Sequence, residues 1–173
     1  MIVPARDEFL LARCLKRERT AIEELVAEHA RPIYGFFQSA LGEKVTLAQP
    51  IFVGSFIHLL RKNAHRNLKE PIRVILLRFI IQRIQEKLNF KNAGAPLNNL
   101  DFRLSILFES LSRLPWDERI LLLFRDQMDL SLEEIGAILS KSQNEIRSRL
   151  KDCRLNFRKQ LENSMNNKRA GHE

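Results

Sequence analysis

Cysteine is scarce in this chain: two residues in 173, Cys14 and Cys153, far apart. Such a pair makes neither a disulfide framework nor a metal-ligand spacing, and it fits a reduced, cytoplasmic setting. Long apolar runs are also missing. The most apolar stretch, Val74 to Ile81, is broken by Arg78, whereas a membrane span needs about 20 apolar residues. Arg6, Asp7 and Glu8 interrupt any apolar core at the N-terminus, so no signal peptide and no membrane insertion are expected. There is no alternating strand pattern of useful length, no internal repeat, no Gly-rich phosphate loop and no Gly-x-Ser-x-Gly. His29, His58, His65 and His172 do not fall near acids or cysteines at metal spacing. Glu23, Glu24 and Glu28 read as one solvated helix face. No catalytic residue, metal ligand or cofactor site is expected, and an enzyme is not.

What is present is positive charge, unevenly placed. The chain is 45% hydrophobic, normal for a globular protein, with a net charge of +8 and a pI of about 9.9. Residues 1–50 balance to zero. Residues 51–91 carry nine basic and two acidic side chains, residues 92–140 four and eight, and residues 141–173 nine and four. Two basic blocks separated by an acidic one suit a protein that touches a polyanion in two places.

Helical spacing of apolar residues runs through nearly the whole chain, so the fold class is all-α. Leu10, Leu11, Cys14 and Leu15 recur at that spacing, then Ala21, Ile22, Leu25 and Val26. A turn is expected at Leu41-Gly42-Glu43, and Pro50 suits the first turn of a helix carrying Phe52, Val53, Phe56, Ile57 and Leu60. Asn63 to Asn67 reads as a loop. Pro71 opens a helix whose expected buried stripe is Ile72, Ile75, Leu76, Phe79, Ile80, Ile84 and Leu88. Phe9, Phe36, Phe37, Phe52, Phe56, Phe79 and Phe90 are read as core. Residues 91–100, with Gly94, Pro96 and several Asn, read as a linker. It divides the chain into two small helical domains, 1–90 and 101–165, followed by a frayed polar tail over 166–173.

The second domain is the more specific. Asp101 is placed to cap a helix carrying Leu104, Leu107, Phe108 and Leu111, which Leu114-Pro115-Trp116 breaks. A very apolar helix follows, from Ile120 to Phe124. Ser131 with Glu134, and Ser142 with Glu145, are two capping boxes, each opening a helix. The turn between them, Ser140-Lys141-Ser142, is three residues long. Two capped helices on a short turn make a helix-turn-helix whose second helix, expected to reach about Leu161, enters the major groove. Gln143, Asn144 and Arg147 lead that helix and are of types that pair with base edges, while Ser148, Arg149, Lys151 and Arg154 suit phosphates.

These residues carry a resemblance. Leu111-Ser-Arg-Leu-Pro115-Trp-Asp-Glu-Arg119, Leu130-Ser-Leu-Glu-Glu-Ile135-Gly and Ile146-Arg-Ser-Arg-Leu150 resemble region four of the extracytoplasmic-function, or group IV, sigma factors. Asp152 stands where that family usually has a basic residue. More loosely, Asp7-Glu8, Leu11, Ala21, Glu23-Glu24-Leu25, Ile33-Tyr34, Leu41-Gly42, Phe56, Leu59 and Arg61-Lys62 follow the opening of sigma region two. The resemblance implies a two-domain alternative sigma factor with core RNA polymerase, promoter DNA and an anti-sigma factor as partners. Region two would melt the minus-ten element and region four would read the minus-thirty-five element. Region two departs from the pattern. Pro50 and Val53 stand where the clamp-docking helix usually has an acid and a glutamine. Ile75, Ile80, Gln82, Glu86 and Asn89 stand where the melting helix has tryptophan, alanine, asparagine, aspartate and arginine. The polar residues left for the minus-ten strand are Arg73, Arg78, Gln82, Arg83 and Lys87. Two other readings keep the helical fold. One is a sigma-like DNA-binding regulator or anti-sigma decoy that does not initiate transcription; the other is a helical regulator whose first domain dimerises or senses a ligand.

Overall fold

The helix signals resolve into eight α-helices and no strand among the residues described by the computed structural model, which are 2–62, 68–87 and 101–170. The expected loop at Asn63 to Asn67 and the 91–100 linker lie outside them, as do Leu88 and Phe90. Helices α1 (Ala5–Leu15) and α2 (Arg19–Leu41) pair first. Gly42 ends α2 with a positive φ of 56°, as the turn signal predicts, and a 3-10 segment (Gly42–Ala48) leads into α3 (Gln49–Lys62). Helix α4 (Ile72–Lys87) packs on α3.

Helix α4 starts where Pro71 predicts, but its cap comes from far away: Asp7 Oδ2 accepts the Ile72 amide at 2.8 Å. The expected stripe on α4 supplies four of its seven buried apolar residues. Ile72, Leu76, Ile80 and Ile84 are covered, as read, but so are Val74, Leu77 and Ile81, while Ile75 and Phe79 are only partly buried. The physical reason is that α4 lies between two neighbours, α3 and α7, and needs an apolar face for each. Phe9 also departs from expectation: it is largely exposed, with the Arg13 guanidinium 5.6 Å from its ring centre.

The second half contains α5 (Phe102–Ser112), α6 (Trp116–Leu122) with a π turn over Leu123–Gln127, α7 (Leu132–Leu139) and α8 (Gln143–Ala170). Asp101 holds the N-cap position of α5 without a side-chain bond. Helix α8 continues past Leu161 to Ala170, because it packs along α5 and buries Ser164 completely. One cluster of buried side chains runs from Leu10 in α1 to Cys153 in α8. Where the halves meet, Phe36 of α2 stacks on Phe124 of the π turn, ring centres 5.2 Å apart, and neither ring is exposed.

Arg119 ties the same seam. Its guanidinium donates to the carbonyls of Leu111, Ser112 and Leu114, and across the seam to the Ala40 carbonyl at 3.0 Å. The first three belong to the end of α5 and the turn after it, where carbonyls lack intrahelical partners. Burial pulls this guanidinium down to about 10, so it stays charged at neutral pH.

Candidate nucleic-acid interface

Both capping boxes form. The Ser131 hydroxyl accepts the Glu134 amide at 3.2 Å while the Glu134 carboxylate accepts the Ser131 amide at 2.9 Å. Ser142 and Glu145 repeat the exchange at 3.2 and 3.0 Å. Each box satisfies two amides that a helix start leaves open. The hydrogen bonds of its box, with help from Lys141, hold the Glu145 carboxyl below its ordinary range.

The turn between α7 and α8 is tight for two reasons. Ser140 adopts the left-handed conformation, φ 56° and ψ 45°, and the Lys141 amide closes back on the Gly136 carbonyl at 2.9 Å. Gly136 admits this approach because a Cβ there would stand 2.6 Å from the Lys141 carbonyl oxygen. Ile146, Leu150 and Cys153 then seat α8 on the core. Burial pushes the Cys153 thiol up to about 11 and raises the Cys14 thiol as well, so neither is a reactive thiolate.

With that face buried, α8 turns Gln143, Asn144, Arg147, Ser148 and Lys151 to solvent. Arg147, Lys151 and Arg154 of α8, with Arg125 of the π turn, surround a cavity of about 440 Å³ floored by Leu132 and Leu150. Arg125 donates to the Leu130 carbonyl at 2.8 Å, and Arg154 pairs with Asp126 at 2.6 Å. That bond raises the Arg154 guanidinium further. Arg125 belongs to this basic cluster and had no motif to announce it. Arg149 stands apart: it lies half-buried toward α6, 3.6 Å from Asp117.

The basic residues of α4 are placed differently. Arg73 grips Glu134 of α7 through both carboxylate oxygens, at 2.6 and 2.7 Å. Burial raises the Glu134 carboxyl, but the bonds from Arg73 and Ser131 outweigh it and hold it low. Arg78 is forked onto Glu70 at 2.7 Å twice, and its Nε donates to the Ala137 carbonyl of α7 at 3.0 Å. Gln82 is exposed, and Arg83 pairs with Glu86 and lies over the Phe79 ring. Lys87 is the last residue of the helix. The α8 residues other than Arg149 thus gather on one open face, whereas Arg73 and Arg78 are turned onto α7.

Among the described residues no group of histidines, cysteines and carboxylates is arranged to hold a metal, and no helix is long and apolar enough to cross a membrane. Two buried side-chain polar atoms, His29 Nε2 and Ser164 Oγ, lack a hydrogen-bond partner among the described residues.

Residues 110–159 match the protein family described as Sigma-70, region 4. No curated protein matches this chain significantly in sequence. Among solved structures, the chain resembles CnrH, in a complex with the cytosolic domain of CnrY, with a TM-score of 0.71 and 20% identity, covering 90% of this chain and 97% of that one. It also resembles the sigma factor RpoE from Bartonella quintana, in a complex with the anti-sigma factor NepR, with a TM-score of 0.61 and 15% identity over 82% and 96% of the two chains. The all-α fold of this chain is shared with both.

Proposed function

We propose that this chain, whose residues 110–159 match Sigma-70, region 4, works as an alternative sigma factor of the extracytoplasmic-function type. In this reading the chain binds core RNA polymerase and directs it to promoters; the chemistry of RNA synthesis is the polymerase's. Residues 101–165 form region four, and α8 reads the minus-thirty-five duplex. Gln143, Asn144 and Arg147 face base edges, and Lys151, Arg154 and Ser148 face phosphates. Arg125 joins the phosphate contacts. Residues 1–90 form a divergent region two that holds the polymerase and, through the C-terminal end of α4 with Gln82, Arg83 and Lys87, the minus-ten strand.

The observation that carries this reading is the open, basic face of α8 on a doubly capped helix-turn-helix, within a segment that matches region 4. The likeness in fold to two proteins solved with CnrY and NepR supports a further partner of the anti-sigma kind. Work in the cytoplasm, where polymerase and promoters are, is part of the same proposal.

The test is co-purification of the full chain with core RNA polymerase from a bacterial extract, followed by transcription from a supercoiled template library. Stable binding with new start sites is expected, and the start sites give the promoter. A specific observation favours a second reading: Arg73 and Arg78 are engaged by α7 rather than presented to a strand. If polymerase does not bind while duplex DNA or an anti-sigma partner does, the chain is a sigma-like regulator or decoy.

A further inference from the structure

The basic face of α8 carries an acid against one of its own cations. Arg147, Lys151 and Arg154 stand at i, i+4 and i+7 on α8, one face of the helix, about 10 Å from end to end by helical rise. Among the described residues Arg147 and Lys151 form no ion pair. Arg154 does: its Nη2 lies 2.6 Å from Asp126 Oδ1, 28 residues earlier in the chain. Asp126 comes from the π turn, where the Met128 amide reaches back to the Leu123 carbonyl at 3.0 Å. Leu123 and Phe124 face the core, and the next two side chains turn outward toward α8. Arg125 joins the rim of the basic cavity, and Asp126 closes on one of the other cations around it.

The acids nearby have work to do in the fold. Glu134 and Glu145 cap helices, and Glu118 accepts both of its contacts from Asn156. Asp126 caps nothing: among the described residues its side chain has Arg154 as its one partner. Both members of the pair are about half exposed, 56% and 50%. An ion pair so exposed is worth a factor of about five at most in an equilibrium. A backbone phosphate offers Arg154 a fork of two oxygens where Asp126 supplies one contact, so a phosphate can displace the carboxylate but binds against it.

We infer that Asp126 sets the strength with which α8 holds duplex DNA: it occupies Arg154 in the free chain, and a backbone phosphate has to exchange with it. Asp126 is thus a positioning residue that acts through Arg154. The inference rests on the reading of α8 as the duplex-binding face. Exchange also leaves a mark on the salt dependence. Each phosphate neutralised by a free cation releases counterions from the duplex. For Arg154 that release is offset, because the carboxylate it leaves behind gathers a counterion of its own. Arg147 and Lys151 carry no such offset.

The test titrates the full chain with a sheared, mixed-sequence duplex at several salt concentrations. Parent, Asp126→Asn, Arg154→Ala and the double variant complete a cycle. Glu23→Gln, an exposed carboxylate on α2 paired with Arg19, is the charge-matched control. Circular dichroism confirms equal helix content. Asp126→Asn is expected to bind about three- to fivefold more tightly than both the parent and Glu23→Gln. Its slope of log affinity against log salt is expected to steepen by about 1, which a carboxylate with a merely structural role would not move. Once Arg154→Ala is added, the gain is expected to fall below twofold. Equal or weaker binding by Asp126→Asn, in a parent that does bind duplex, overturns the inference and leaves the reading of α8 standing. The same gain with and without Arg154 overturns the exchange, since Asp126 then acts by its charge alone. Parent and Asp126→Asn chains that both ignore duplex sink the reading of α8 and the inference with it.

Discussion

Arg119 illustrates how much one side chain can hold. It serves four carbonyls from two halves of the chain. Arg119→Met takes the guanidinium donors away from these carbonyls, and a loss of about 3 kcal/mol in urea unfolding is expected. Arg119→Lys does not restore it, because an ammonium lacks the planar fork. The sequence marked Arg119 only as part of a family-like run; its partners are set by where Ala40 arrives. His29 makes a prediction of opposite character. Burial, the largest cause, holds its folded pKa below the ordinary 6.5. Above 6.5 both states are neutral and the group contributes nothing. As pH falls below 6.5 the unfolded chain takes up a proton that the folded chain refuses, so stability falls. The melting temperature is expected to drop between pH 7.5 and 5.5, and His29→Leu to flatten that slope. On α8, Arg147→Ala is expected to cost about 1–3 kcal/mol in binding to the cognate promoter duplex, and Lys151→Ala to weaken all duplexes alike and reduce the salt slope by about 1. Equal behaviour of the two variants would remove the distinction between base and phosphate contacts.

At the scale of elements, the helix-turn-helix depends on two backbone positions. Gly136→Ala puts a methyl 2.6 Å from the Lys141 carbonyl, which is backbone and cannot step aside without reshaping the turn. About 3 kcal/mol of stability and most duplex binding should be lost. Ser140→Gly relieves a left-handed residue and should add about 1 kcal/mol, read as a rise in urea midpoint at unchanged slope. The sequence made the capping boxes and the turn legible, because both are local exchanges over three or four residues. It marked Gly136 only as the end of a family-like run and gave no reason for it, because the conflict is with a carbonyl five residues on and appears only once the turn is built. Helix α4 shows the same limit. A single amphipathic stripe was readable, but a helix between two neighbours has two, and nothing in the local pattern says that the second neighbour is α7.

At the scale of the molecule, the buried cluster crosses from α2 to the π turn, so the two halves should unfold together. Phe124→Ala is expected to cost about 4 kcal/mol and to move the urea transitions of a dye on Ala27→Cys and of one on Lys159→Cys by the same amount. Separate transitions in the parent would show that the halves are independent.

By itself the sequence determined the all-α class, the position of most helices, the helix-turn-helix and the residues on its open face. These are consequences of apolar periodicity and of caps that act within a turn of helix. Only the tertiary structure decided that Arg73 and Arg78 point into a seam, that Asp7 caps α4, that Arg125 joins the basic face of α8 and that Arg149 leaves it. Each of those depends on a partner, or on a place in a cluster, that the local sequence does not specify. For charged side chains the choice between solvent, phosphate and protein oxygen is made by whatever the fold brings within about 3 Å, and the local sequence pattern carries no record of that distance.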